Sequence, residues 1–127
     1  MKTKILFIDD DPEQLDILTM AVQQYNLPCQ TFTAKNGDSA LSCYQQNKDI
    51  GLIICDSDLA GTGFVGEVGW VVYDRLQKQG YHGGFYARSS SGFREEWSER
   101  NIEVIDKTAG LAYIVEKIQK YVGKKNE

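Results

Sequence analysis

Acidic residues stand directly after two short apolar segments of this 127-residue chain, and a lysine lies close behind a third. Asp9 and Asp10 follow the first segment, Asp56 follows one in the middle of the chain, and Lys107 comes after the last. Three carboxylates held close together repel one another unless a cation compensates them. Mg²⁺ suits this role because it prefers oxygen ligands and leaves room for a phosphoryl oxygen in its shell. The expected chemistry is phosphoryl transfer to a carboxylate oxygen with Mg²⁺, and Lys107 and a serine hydroxyl would contact the acyl phosphate.

Short apolar segments alternate along the chain with longer segments of helical period, which is typical of βαβ units. Each parallel crossover needs a covering helix, and right-handed connections place helices on both faces of the sheet. We therefore predict an α/β fold with a five-stranded, doubly wound parallel sheet. Ligands of such a sheet bind at the carboxyl ends of its strands, where the candidate residues fall. The predicted strands are Lys4–Ile8, Cys29–Ala34, Gly51–Cys55, Gly84–Ala87 and Ile102–Ile105.

Helix boundaries are predicted from capping residues and apolar spacing. The first helix is expected to begin at Pro12, because Asp11 is a good N-cap and Gln14 completes a capping box. The Asn36-Gly37 pair before the second helix is expected to form a turn that takes positive φ. The further predicted helices are Asp38–Gln46, Gly66–Gln79, Ser91–Arg100 and Gly110–Val122, followed by a polar tail at 123–127 that is expected to fray.

Composition limits the classes of function. The chain is 42% apolar and long enough for one compact domain, and 14 basic against 18 acidic residues give a formal charge of −4. This charge argues against a general nucleic-acid or anionic-membrane binder. Cys29, Cys43 and Cys55 show no metal-ligand spacing and are expected to be small buried thiols, and the chain is predicted to be cytoplasmic and free of membrane spans. A lone histidine, His82, offers nothing on which to build a zinc or Ser-His-Asp site.

Four features in order resemble the receiver domain of two-component response regulators. The stretch KILFIDDDP at 4–12, the stretch AKNGDSAL at 34–41, the segment Leu52–Asp56 and the residue Lys107 match the family at about its spacing. The resemblance covers about residues 4–122 of a single domain at 1–127. It implies a flavodoxin-like sheet with strand order 2-1-3-4-5.

The resemblance also implies the roles of the acidic residues. Asp56 would accept a phosphoryl group from the phosphohistidine of a histidine kinase or a phosphotransfer protein. Asp10 and Asp56 would ligate Mg²⁺, with the backbone carbonyl of Asp58 as a third protein ligand and Asp9 acting through water. The chain would not be an enzyme beyond its own phosphorylation and dephosphorylation.

Two serines are candidates for the residue that senses the phosphoryl group and propagates the conformational switch. Ser89 matches the Ser/Thr that the family carries at the end of the fourth strand, and Ser90 is the alternative one residue later. The chain departs from the family pattern in several places: Ala60 and Thr108 replace usual prolines, Val104 replaces a usual aromatic residue, and a glycine-rich loop at 61–66 is longer than expected.

The leading interpretation is a single-domain response regulator with no DNA-binding domain, which acts on a downstream protein partner. Its switching surface would be the fourth helix, fifth strand and fifth helix, with Phe93, Trp97 and Tyr113 as candidate contacts. Two alternatives remain. Asp56–Ala60 resembles the DxDx(T/V) motif of haloacid dehalogenase-like phosphatases, although Ala60 fails at the last position. A degenerate receiver that only docks to a partner is the other.

Overall fold

The structure, a computed structural model, describes residues 2–57, 68–89 and 94–125. The strands are β1 (Thr3–Ile8), β2 (Cys29–Ala34), β3 (Leu52–Asp56), β4 (Gly84–Ser89) and β5 (Glu103–Asp106). The helices are α1 (Pro12–Gln24), α2 (Gly37–Gln46), α3 (Gly69–Lys78), α4 (Arg94–Glu99) and α5 (Leu111–Lys125). All strand pairs are parallel, and the order β2-β1-β3-β4-β5 confirms the predicted fold class and strand order.

The start of α1 confirms one part of its prediction and corrects another. Asp11 is the N-cap, and its Oδ1 accepts a hydrogen bond of 3.0 Å from the Glu13 backbone. The predicted capping box with Gln14 is wrong. The backbone N–H of Asp11 instead donates to Asp9, and the Gln14 side chain accepts from Arg88. Asp9 and the distant Arg88 therefore take the two groups that the predicted capping box would have paired with each other.

Asn36 caps α2 in an extended conformation, so the prediction of positive φ in this turn is wrong. Its φ is −154°, which lets its side chain accept from the Ser39 backbone at 2.8 Å. The Ser39 hydroxyl accepts in turn from the Asn36 backbone N–H, which completes a capping box. Gly37 is the first helical residue, and the helix thus begins one residue earlier than predicted.

The other helix ends differ modestly from the predictions. The described part of α3 begins at Gly69 and that of α4 at Arg94, while the predicted starts at Gly66 and Ser91 lie outside the described residues. Helix α5 runs to Lys125, so the first three residues of the predicted tail are helical.

Two apolar layers cover the sheet. The face under α2, α3 and α4 contains Leu6, Ile53, Leu76 and the fully buried Trp97. The opposite face packs against α1 and α5 through residues of both helices. The central strands β1 and β3 are apolar on both sides over most of their length, as expected for a doubly wound sheet. Cys29 and Cys55 are buried, and Cys43 is half-buried.

Within the described residues, no helix combines the length and apolar character that crossing a bilayer requires.

Candidate functional site

Three carboxylates meet at the carboxyl edge of the sheet. Asp9 directly follows β1, Asp56 is the last residue of the neighbouring β3, and one carboxylate oxygen from each of Asp9, Asp10 and Asp56 lies within 4.8 Å of the other two. Asp9 and Asp56 are only 2% and 4% exposed, and Asp10 is half-buried. The predicted set is therefore brought together by two adjacent parallel strands. Oxygen donors of this kind, partly open to solvent through Asp10, fit a hard cation such as Mg²⁺.

Lys107 supplies a positive charge at the same edge. Its Nζ lies 2.8 Å from Oδ1 of Asp56. The lysine begins a short 3₁₀ turn after β5, and Asp106 caps this turn by accepting 2.8 Å hydrogen bonds from the backbone N–H and hydroxyl of Thr108. The Lys107 side chain is 30% exposed, so its ammonium can meet an incoming anion as well as Asp56.

The pKa of the Asp9 carboxyl group is strongly perturbed by its position in the site. Its pKa is raised from 3.8 to about 6, chiefly by burial and also by the neighbouring charge of Asp56, against the lowering effects of the Asp11 backbone N–H, Lys107 and Arg88. Oδ1 of Asp9 accepts the Asp11 N–H at 3.0 Å. Oδ2 is buried and has no hydrogen-bond partner among the described residues. A buried carboxylate oxygen without a hydrogen-bond partner is a suitable ligand for a cation.

Arg88 adds a second positive charge to that of Lys107, and its side chain is buried in the protein interior. This residue is the register partner of Asp56 across β3 and β4 and is 5% exposed. Its Nη1 lies 3.8 Å from Oδ2 of Asp9, and its Nη2 donates to Gln14 at 3.3 Å. Burial lowers the pKa of the guanidinium, while Asp9 and Asp56 raise it. Arg88 thus brings a buried positive charge from an otherwise largely apolar strand to the side of the acidic cluster.

Ser57 was not predicted as part of the site, and it connects the end of β3 to two helices. Its backbone N–H donates to the Arg88 carbonyl at 2.8 Å, and its carbonyl accepts from Gly69 at 2.9 Å. The Ser57 hydroxyl accepts from the indole N–H of Trp97 at 2.9 Å. No sequence pattern indicated this role, because the three partners lie on different elements.

Ser89 is the last residue of β4, is 4% exposed, and stands in register with Asp106. Val104 is half-buried and in register with Ala87. The remaining predicted positions lie outside the described residues: Asp58, Ala60, the loop at 61–66, Ser90 and Phe93.

The prediction that Trp97 contributes to an exposed switching surface is wrong. Its side chain is fully buried and packs near the rings of Tyr73 and Phe85. A short helix needs a large anchor to hold it against the sheet, and Trp97 provides the apolar area together with a polar handle for Ser57. Tyr113 is half-buried, with the Lys117 ammonium 5.3 Å from its ring centroid.

Comparison with known proteins shows the fold. No protein-family model matches this sequence, and no curated protein matches it. Among solved structures, the chain is similar to a two-component response regulator from Clostridium difficile, with a TM-score of 0.82, 17% identity, and coverage of 99% of this chain and 100% of that one. It is also similar to a response regulator receiver domain protein from Clostridium thermocellum, with a TM-score of 0.80, 17% identity, and coverage of 98% and 97%.

A response regulator from Thermotoga maritima, solved in complex with Mg²⁺ and BeF, is similar over 95% of this chain and 99% of its own. The TM-score is 0.76 and the identity is 24%. The architecture of the chain is thus that of receiver domains, and it extends over nearly the whole length of each of these structures.

Proposed function

We propose that this chain is a phosphoacceptor receiver of two-component signalling in which Asp56 takes a phosphoryl group from a phosphohistidine. The observation that carries the proposal is the position of Asp56. It ends the central strand β3 with its Oδ1 2.8 Å from the Lys107 ammonium and with carboxylate oxygens of Asp9 and Asp10 within 4.8 Å. The likeness of the fold to receiver domains supports the same role.

The transfer needs one bond to form and one to break. A carboxylate oxygen of Asp56 attacks phosphorus, the P–N bond to the donor imidazole breaks, and an acyl phosphate remains on Asp56. Lys107 pairs with the charge that passes from the carboxylate to the phosphoryl oxygens. Ser89, at the end of β4, is proposed to hydrogen-bond the phosphoryl group and so to sense it.

Asp9, Asp10 and Asp56 would hold Mg²⁺, with the backbone carbonyl of Asp58 as a further ligand. Bound Mg²⁺ would neutralise part of the phosphoryl charge during transfer. The acidic cluster supports this assignment, as does the Thermotoga maritima neighbour that was solved with Mg²⁺ and BeF.

The residues 1–127 would act as one receiver domain without a separate enzymatic activity. The donor would be a histidine kinase or a phosphotransfer protein in the cytoplasm, and the output a change in binding to a protein partner.

The test is the intact mass of the protein after incubation with Mg²⁺ and a small acyl phosphate. We expect one phosphoryl addition that requires Mg²⁺ and is lost in Asp56→Asn. Asp49→Asn is the matched control, because Asp49 pairs with Lys4 instead of with the acidic cluster. The absence of any addition to the native protein would contradict the proposal.

The phosphatase alternative is disfavoured by the position of its motif. Haloacid dehalogenases carry the nucleophile on their first strand, whereas Asp56 ends the third strand along this chain. Repeated turnover of a phosphoester would favour this alternative, and a failure to bind Mg²⁺ or take up phosphate would favour a docking module.

A further inference from the structure

The site contains a buried cation that phosphoryl transfer to Asp56 does not use. The Arg88 side chain is 6% exposed, so it lies behind the acidic cluster and is not available to a phosphoryl donor. Its Nε and Nη1 are buried and have no hydrogen-bond partner among the described residues. A guanidinium with unsatisfied donors is costly to bury. Compensation has to come from the charge of neighbouring groups, and among the described residues Oδ2 of Asp9 is a carboxylate oxygen close to Arg88, at 3.8 Å from Nη1.

We propose that Arg88 is a resident cation of the acidic site. Arg88 offsets the negative charge of the site when no metal is bound, and it lowers the affinity of the site for Mg²⁺. This inference rests on the metal site of the proposed function. Arg88 would act through Asp9, without touching the metal or the phosphoryl group, and would set how much Mg²⁺ the site requires.

The charges of the site support a weakening effect. Asp9, Asp10 and Asp56 carry up to three negative charges, and Lys107 and Arg88 carry two positive ones. Replacing Arg88 by a neutral residue leaves one more uncompensated negative charge for Mg²⁺. Asp9 and Arg88 are both nearly inaccessible to solvent, so salt screens their interaction poorly.

The opposite role, in which Arg88 orients Asp9 for the metal, fits the geometry less well. Oδ1 of Asp9 is already oriented by the Asp11 backbone N–H at 3.0 Å. Arg88 approaches the other oxygen only to 3.8 Å, which is too long for a hydrogen bond. Arg88 therefore acts on Asp9 through its charge more than by orienting the carboxylate.

The experiment measures Mg²⁺ binding directly, by calorimetric titration of the metal-free protein in the absence of a phosphoryl donor. For Arg88→Met we expect a Kd about tenfold lower than that of the native protein. For Arg88→Lys, which keeps the charge, we expect a Kd close to the native value. Arg75→Met is the matched control, because it removes a guanidinium that pairs with Asp38 outside the cluster. An unchanged or higher Kd in folded Arg88→Met would overturn the inference.

Thermal unfolding covers the case in which the variant is unstable. Without metal, Arg88→Met should melt below the native protein because Asp9 loses its compensating charge, and added Mg²⁺ should raise its melting temperature by more than that of the native protein. Arg88→Gln, which keeps a donor for Gln14, should behave in the same way. If both variants stay unfolded even in Mg²⁺, Arg88 is purely structural and the inference fails.

The test of Arg88 by Mg²⁺ affinity and the test of Asp56 by phosphorylation can fail independently of each other. A chain whose Mg²⁺ affinity depends on Arg88 but which takes up no phosphoryl group would keep this inference and overturn the proposed function. A chain that is phosphorylated on Asp56 while its Mg²⁺ affinity is indifferent to Arg88 would do the reverse.

Discussion

At the scale of single residues, Asp9 is unusual because it is deeply buried and yet belongs to the acidic cluster that is proposed to bind Mg²⁺. Its pKa in the folded chain is raised to about 6 from an ordinary value of 3.8, chiefly by burial. The folded state therefore binds a proton more tightly than the unfolded state does. For an acid shifted upward in this way, stability is highest below the unfolded pKa and is lost as the pH rises through the folded pKa.

We predict that, in metal-free buffer, the free energy of unfolding of the native protein falls relative to that of Asp9→Asn between about pH 4 and pH 6.5. A shift of this size corresponds to about 2 to 3 kcal/mol. Urea unfolding of both proteins across this range measures the difference and cancels the titration of the other carboxylates. Parallel stability curves for the two proteins would contradict the prediction.

At the scale of elements, the start of α3 is packed directly against the end of β3. A Cβ added to Gly69 would lie 2.5 Å from the backbone oxygen of Asp56 and 3.0 Å from Cζ2 of Trp97. The backbone oxygen cannot move aside without shifting the strand end that carries Asp56, the proposed phosphoacceptor. Glycine at this position lets α3, α4 and β3 meet.

Gly69→Ala is therefore expected to destabilise the fold by about 2 kcal/mol, the usual cost of overpacking a tight contact. It should also slow uptake of a phosphoryl group by Asp56. The matched control is Gly123→Ala in α5, where an added Cβ meets nothing within 4 Å and alanine should be neutral or slightly stabilising. Urea unfolding of both variants measures the contrast, and equal stabilities would refute the packing argument.

At the scale of the whole molecule, the acidic cluster exists only in the folded chain. Its members come from the ends of β1 and β3, which are separated in sequence by α1, β2 and α2. Mg²⁺ bound there would interact with the folded state and hardly with the unfolded one. Binding at the site should therefore stabilise the whole domain.

At a free Mg²⁺ concentration ten times the Kd, we expect the free energy of unfolding to rise by about 1.4 kcal/mol. Asp56→Asn should lose most of this gain, whereas Asp49→Asn should keep it. Chemical unfolding with and without Mg²⁺ at constant ionic strength tests the expectation. A gain of the same size in Asp56→Asn would place the stabilising ion elsewhere.

Much of the fold could be predicted because its signals are local. The apolar segments predicted β1 to β5 to within a few residues, and the N-cap Asp11 marked the start of α1. The turn before α2 was misjudged, because an Asn-Gly pair fits both a positive-φ turn and a capping box. Only the extended conformation of Asn36 and its hydrogen bond to Ser39 distinguish the two.

Local sequence patterns set the order of the elements and the types of residue at the carboxyl ends of the strands, since apolar periodicity and caps act over short distances. The packing of the folded chain sets the rest: Arg88 lies 3.8 Å from Asp9, Gln14 faces Arg88, and Trp97 turns inward to Ser57. Each of these contacts joins elements distant in sequence. Their geometry depends on strand register and helix packing, which no local pattern records.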